Sequence, residues 1–320
     1  MIALMKNFAS LRKKLKPRLP TRIYLRGGLG NQLFQYAFGL NLQIEHNRKV
    51  VFSSSLLPSK ADLNEIYVYP EQLSKFNFRG KLTRSQLYKY FDEASVQWLL
   101  SRLAQADRFL GDFFSDSPLR TLWLSSDRNQ SHKHLRELAP LFVNHPVMDF
   151  QIAQEQAGKI SLEMGKIKNP SDWFLERIIE VEELKPIAVH VRLGDHLKVG
   201  KPSLSVEYYR GAIKLLRSKS PGSQIWIFSD QPNIAFEYLR GVIDFDRVME
   251  PPKDSNDVES LYLMSRCSAI VISTSTFSWW AAMLSKHEGA SIVAPIPFND
   301  FPGAIFSRNF LPSEWEKIPS

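Results

Sequence analysis

From Ile187 to Pro295, short apolar runs alternate with helical patterns, and this alternation constrains the fold more than any other feature. IAVHV (187–191), SQIWIFSD (223–230), RVME (247–250), SAIVIS (268–273) and SIVAP (291–295) read as strands. The spacing predicts helices over 205–219, 232–240, 257–267 and 276–286 between them. Repeated strand–helix units build a parallel sheet with helices on both faces. SIVAP is expected to close the set. The amino-terminal half starts in the same way: TRIYLR (21–26) as a strand, GGLG as a turn, a helix from Asn31 to about His46, and KVVFSS (49–54) as the next strand. Residues 60–145 are aromatic-rich and poor in periodicity. Several helices are expected there, including 94–109. Residues 150–184 look helical or linker-like and contain the boundary between a domain over 21–184 and one over 185–320. A chain of 320 residues is long enough for two cores. The expected architecture is α/β, with two Rossmann-like domains facing one another across a cleft.

Three segments carry chemistry. IAVHVRLGD brings His190, Arg192 and Asp195 to the carboxyl end of a strand, which is where ligands sit in open α/β sheets. A guanidinium beside an imidazole and a carboxylate suits an anion joined to a polar ring, as in a nucleoside diphosphate. The plainer reading is a satisfied core histidine beside a surface Arg–Asp pair. GGLGNQ (27–32) lies between a strand and a helix. Its glycines allow close approach to the backbone, and the helix start at Asn31 offers free N–H groups to a phosphate. It lacks the third glycine of a nicotinamide fingerprint and the Gly-Lys-Ser/Thr of a P-loop. The plainer reading is a glycine-rich turn. In STSTFSWWAA (273–282), Ser273, Thr274, Ser275, Thr276 and Ser278 form a hydroxyl-rich entry to a helix. Hydroxyls and helix-start amides together make an anion site. Ordinary capping needs only one of them. FSD (228–230) ends a strand and places Asp230 near the same cleft. Asp244 and Asp246 form a D-x-D pattern of the metal-binding kind, but three residues match by chance often. No other metal constellation is visible in the sequence.

Charge narrows the partners. Of the net charge of +8, residues 1–20 supply six basic side chains and no acidic one, which leaves +2 for the rest. A nucleic-acid-binding body would keep its basic excess in the fold, so nucleic acid is not an expected partner. Cys267 is the only cysteine; internal disulfides and thiolate metal clusters are excluded, and a reducing compartment fits. No apolar run approaches the ~20 residues of a transmembrane helix. MIALM is too short for a signal-peptide core. Leu4, Phe8, Leu11 and Leu15 recur at helical spacing among basic residues. Residues 1–20 therefore read either as a basic amphipathic leader on an anionic bilayer or as a solvated tail.

GGLGNQLFQYAFG, HVRLGD and STSTFSWWAAML, in this order and with FSD between the last two, resemble the α-1,2-fucosyltransferases of glycosyltransferase family eleven over about residues 22–285. The resemblance implies a glycosyltransferase-B type fold and an inverting transfer of L-fucose from GDP-fucose to a hydroxyl of a galactoside-type acceptor. GDP-fucose is then a substrate, and neither a metal nor a cofactor is expected. The acceptor would bind mainly to the first domain and the donor to the second. His190 matches the motif histidine on the guanine side. Arg192 matches the arginine on the β-phosphate. Thr276, Phe277 and Ser278 match the phosphate loop. Gly28, Gly30 and Asn31 would sit where the glycine loop meets donor and acceptor. Asp230 would join the donor site, and Asp257 or Glu259 would accept guanine N1–H and N2–H. Asp195, with His196 second, is the candidate base for the acceptor hydroxyl. The family pattern H-x-R-R-G-D is broken here by Leu193, which makes Arg192 the sole arginine of the clamp. Two other readings stay open: the same fold with another nucleotide sugar, or a non-catalytic nucleotide-sugar-binding protein. The leader and the resemblance together suggest a cytoplasmic enzyme at the inner membrane face. A lipid-linked oligosaccharide acceptor of surface-polysaccharide (O-antigen) synthesis would suit it.

Overall fold

The structure, a computed structural model, describes residues 20–55, 57, 69–84, 123–124, 142–143, 147–194, 204–253, 255–285, 290–298 and 310–320. Most of the leader and the expected helix at 94–109 lie outside these residues. Contacts divide the chain into two compact units, Met1–Ser74 with Arg79–Gln156, and Lys75–Phe78 with Ala157–Ser320.

The first unit begins with β1 (Thr21–Tyr24), α1 (Leu29–Glu45) and β2 (Val50–Ser53). β1 and β2 are parallel, with Thr21 opposite Val50. Gly27 takes a left-handed turn at φ +69°, which ends the strand and frees Gly28 to cap the helix. α1 is buried on nearly every side from Leu29 to Leu42. It lies close enough to the sheet that a Cβ on Gly39 would strike the Phe52 ring. β3 (Lys81–Thr83) extends the sheet beyond β2; β5 (Phe142–Val143) and the edge strand β4 (Trp123–Leu124) extend it beyond β1. Every pairing is parallel. The sequence reading expects several helices over 60–145 and names no strand there. Strands of two or three residues are too short to leave a periodicity.

Residues 150–184 are two helices. Asp149 opens α2 (Phe150–Met164) by accepting the Ile152 N–H at 3.0 Å. Ser171 opens α3 (Asp172–Leu184) by accepting the Phe174 N–H at 3.1 Å.

The second unit carries a six-stranded sheet in the order β11-β10-β9-β6-β7-β8. Its strands are β6 (Ile187–Val191), β7 (Ile225–Ser229), β8 (Arg247–Val248), β9 (Ala269–Val271), β10 (Ser291–Ile296) and β11 (Glu316–Pro319). All are parallel to their neighbours. The helices α4 (Val206–Lys219), α5 (Pro232–Leu239), α6 (Asp257–Ser265) and α7 (Thr276–Ser285) alternate with them. All five residues of β6 are buried, as a central strand covered on both faces demands. Its Ile187, Val189 and Val191 share a core with Tyr208, Ala212 and Leu216 of α4. SIVAP does not close the sheet: β11 lies outside β10, with Val293 opposite Glu316. Its sequence, EKIP, is mostly exposed and polar, as suits an edge, and has no apolar run to announce it. The D-x-D pair is used structurally. Asp246 accepts the Ile225 N–H at 2.7 Å and fixes the start of β7, while the Asp244 carbonyl accepts from Arg217 at 3.1 Å.

Candidate functional site

In the second unit, β6 is followed in the chain by β7 on one side, whereas β9 lies on its other side and leads to β10. The order of the strands therefore reverses between β6 and β9. Such a switch point opens a crevice beyond the carboxyl ends of the two strands, because their connections leave in opposite directions. The HVRLGD and STSTF segments emerge at this place.

His190, near the end of β6, is only 3% exposed. Its Nδ1 lies 2.7 Å from Oγ of Ser273, two residues beyond β9. This hydrogen bond joins the two sides of the switch point. The Phe277 ring, half-buried in the first turn of α7, stacks on the imidazole at 5.6 Å and 30°. Ser278 Oγ takes the Ser273 N–H at 3.2 Å and contacts the carbonyls of Ser273 and Ser275. Ser275 is the capping residue: its Oγ accepts the Phe277 N–H at 3.3 Å and its carbonyl accepts the Trp279 N–H at 3.0 Å. The loop is thus fixed by its own hydroxyls. Thr276, also half-buried, stands in the same first turn. Trp279 and Trp280 are wholly buried, as expected of packing residues.

Arg192, two residues beyond His190, pairs through Nη1 with Asp230 Oδ2 at 3.1 Å. Asp230 follows β7, so this pair links neighbouring strands. The same carboxylate accepts the N–H groups of Leu193 at 3.0 Å and Gly194 at 2.9 Å. A Cβ on Gly194 would stand 2.5 Å from Asp230 Oδ2, which explains a glycine at this place. Asp230 therefore shapes the turn and holds the guanidinium at once. Asp257, at the first position of α6, keeps access to solvent but is crowded by protein. That crowding raises its carboxyl pKa; Arg192 pulls it down and Asp230 pushes it up. The three ionic groups thus act on one another.

Glu259, two residues further on, points elsewhere. Its carboxylate is buried and accepts the Ser171 N–H at 3.0 Å, the Ser171 hydroxyl at 2.7 Å and the Asn256 side-chain amide at 3.1 Å. It binds the start of α6 to the start of α3. Leu193 is 2% exposed and belongs to the core of the unit, facing away from Arg192. Asp195 and His196 lie outside the described residues.

Gly28, Gly30 and Asn31 belong to the first unit, at the start of α1. The helix begins at Leu29, two residues before the expected start, because Gly27 completes the turn by itself. The first intrahelical bond runs from the Gln32 N–H to the Gly28 carbonyl at 3.1 Å, so the amides of Leu29, Gly30 and Asn31 precede the ladder. Gln32 is structural: its side chain donates to the carbonyls of Gly27 at 2.8 Å and Pro70 at 2.9 Å, and accepts the Gln72 N–H at 2.9 Å.

The structure thus groups His190, Ser273, Phe277 and Ser278 at the switch point, and places Arg192, Asp230 and Asp257 within electrostatic reach of one another at the carboxyl ends of the same strands. Ser273 was seen in the sequence only as one hydroxyl of five; its pairing with His190 spans 83 positions and leaves no local signal.

The family model described as Glycosyl transferase family 11 matches residues 175–318. The O-antigen biosynthesis glycosyltransferase WbnK of Escherichia coli is 22% identical over 297 residues, covering 85% of this chain and 92% of its own. An alpha-1,2-colitosyltransferase of Escherichia coli is 22% identical over 317 residues, covering 92% of this chain and 97% of its own. A galactoside 2-alpha-L-fucosyltransferase of Caenorhabditis elegans is 21% identical over 309 residues, covering 92% and 78%. The matched segment contains both motif segments of the second unit, and over it the chain is similar to glycosyl transferase family 11.

Proposed function

We propose that this protein is an inverting α-1,2-fucosyltransferase of the glycosyltransferase-B type. It would move L-fucose from GDP-fucose to a hydroxyl of a galactoside-type acceptor in surface-polysaccharide synthesis. One observation carries the reading: the His190–Ser273 hydrogen bond at the strand-order reversal, with Arg192 two residues away. The second unit takes the donor and the first the acceptor. His190 meets the guanine side, with Phe277 of the phosphate loop stacked on its ring, and Asp257 accepts the guanine N–H donors. Glu259 is left out of this role, because its carboxylate is already engaged by Ser171 and Asn256.

The chemistry is a single displacement at the anomeric carbon. The C–O bond to the β-phosphate breaks as the acceptor oxygen bonds to the same carbon from the opposite face. Negative charge grows on the diphosphate. Arg192, held beforehand by Asp230, is proposed to receive it beside the start of α7, so little reorganisation of the guanidinium is needed in the transition state. No metal is required in this scheme. The acceptor hydroxyl gives up its proton as the bond forms; Asp195 is proposed to take it, with His196 second. The proposal includes peripheral membrane contact through residues 1–20 and a lipid-linked acceptor.

Arg192→Ala tests the assignment. It removes the guanidinium while the Asp230 bonds to the turn remain. The expected loss is about 2–4 kcal/mol of transition-state stabilisation, read as a fall in kcat/KM. A variant with near-normal turnover would remove Arg192 from the reaction. A second reading changes only the sugar: the donor carries colitose, as the name of one relative suggests. Competition between the two donors separates these readings.

A further inference from the structure

α4 turns two adjacent tyrosines to the core, Tyr208 at 1% exposure and Tyr209 at 2%. A buried phenol needs an acceptor for its proton. Tyr208 O–H donates to the Ile272 carbonyl at 2.6 Å. The Val293 carbonyl lies 3.3 Å from the same oxygen and also receives the Ile272 N–H at 2.9 Å. The β9–β10 register ends at Val271 opposite Val293, so the Ile272 carbonyl is the first beyond the ladder. The tyrosine satisfies it where the sheet no longer does. The next residue is Ser273. Its N–H goes to Ser278, and its hydroxyl meets His190. On the other strand, Tyr209 O–H lies 3.4 Å from the His190 carbonyl, and the two tyrosine rings meet edge-on at 5.2 Å. One helical turn thus backs both partners of the pair that spans the switch point.

We propose that Tyr208 is a positioning residue for His190: its hydroxyl holds the Ile272 carbonyl, which sets Ser273, and Ser273 sets the imidazole. The functional part of this inference rests on the donor-site reading above. Tyr208 does not touch the donor. A phenylalanine would fill the same volume, so the hydroxyl is the part of the side chain that needs explaining, and its contacts are these two carbonyls.

Tyr208→Phe keeps the ring and removes the hydroxyl. Three quantities are measured: the thermal midpoint, the imidazole 15N resonances of His190 in the free protein, and GDP-fucose affinity with the split between KM and kcat. The His190 resonances should move, and donor affinity should fall about five- to tenfold, the scale of one net hydrogen bond. The donor KM should rise more than kcat falls. In a Ser273→Ala background, Tyr208→Phe should have no further effect on either quantity. A lower midpoint with unmoved His190 resonances and unchanged donor affinity would overturn the proposal and leave Tyr208 as a packing residue. Replacing Tyr208 with 3-fluorotyrosine provides a second variant that keeps both shape and hydroxyl while strengthening the donor; unmoved His190 resonances there would also overturn it. If the wild-type protein fails to bind GDP-fucose, the donor reading falls, yet the imidazole resonances still decide whether Tyr208 controls His190.

Discussion

Arg192 and Leu193 are neighbours with opposite fates. Arg192 is turned to Asp230 and the carboxyl ends of the strands, while Leu193 enters the core. The arginine that the family pattern has at 193 would here face apolar side chains. Leu193→Arg is therefore expected to cost about 3–5 kcal/mol of stability, as an unpaired buried charge does, with no gain in donor affinity. Denaturant unfolding and donor titration together check this. A stable variant that binds the donor more tightly would mean that the turn can reverse its side chains. Asp257 gives a second test at this scale. Its folded-state pKa is raised chiefly by crowding, so the folded protein holds the proton more tightly than the unfolded chain. Its contribution to stability is therefore most favourable on the acid side of the carboxylate range and declines as pH rises through it. Asp257→Asn should melt higher than wild type at pH 7 and converge with it towards pH 3, yet bind the donor more weakly. Thermal melts across this range and donor titration at pH 7 read both effects. The residue types of this site were legible in the sequence because chemistry narrows them: a lone arginine, a histidine and serines at strand ends. Their pairings were not, since Arg192–Asp230 and His190–Ser273 form only when distant strands become neighbours.

At the scale of elements, legibility followed length and capping. The expected limits of 187–191 for β6 match the structure, because a continuous apolar run is bounded by a loop and by the arginine turn. α4 begins one residue inside its expected start because Ser205 is the cap, accepting the Tyr208 N–H at 3.2 Å. β3, β4 and β5 have two or three residues each, and β11 is polar; neither kind leaves a pattern. α1 starts two residues before Asn31 because one residue, Gly27, makes the whole turn. Its φ of +69° suits glycine, and an added Cβ would collide with the Asn31 side-chain amide. Gly27→Ala should thus destabilise by at least about 1–2 kcal/mol and displace Asn31. Urea unfolding gives the first number, and a crystal structure of the variant gives the second. An alanine accommodated without loss would show that the glycine serves ligand approach alone.

At the scale of the whole molecule, one rule recurs in both units. The sheet of the first unit reverses its strand order between β1 and β5, and GGLGNQ follows β1. The sheet of the second reverses between β6 and β9, and HVRLGD follows β6. Each motif leaves the strand at which its own sheet turns back. Two parallel sheets built in this way give two ligand-facing ends from one construction. Under the proposed function, one end would take the donor and the other the acceptor. The claim at the centre of this account is that the second unit activates GDP-fucose through Arg192 and helix-start donors, without a metal. The most direct test measures GDP release from GDP-fucose with and without a β-galactoside acceptor in excess EDTA, with GDP-mannose and UDP-galactose as controls. The account predicts release that the acceptor stimulates, that EDTA leaves unchanged and that GDP-fucose alone supports. Release abolished by EDTA, or supported equally by a control donor, would contradict it.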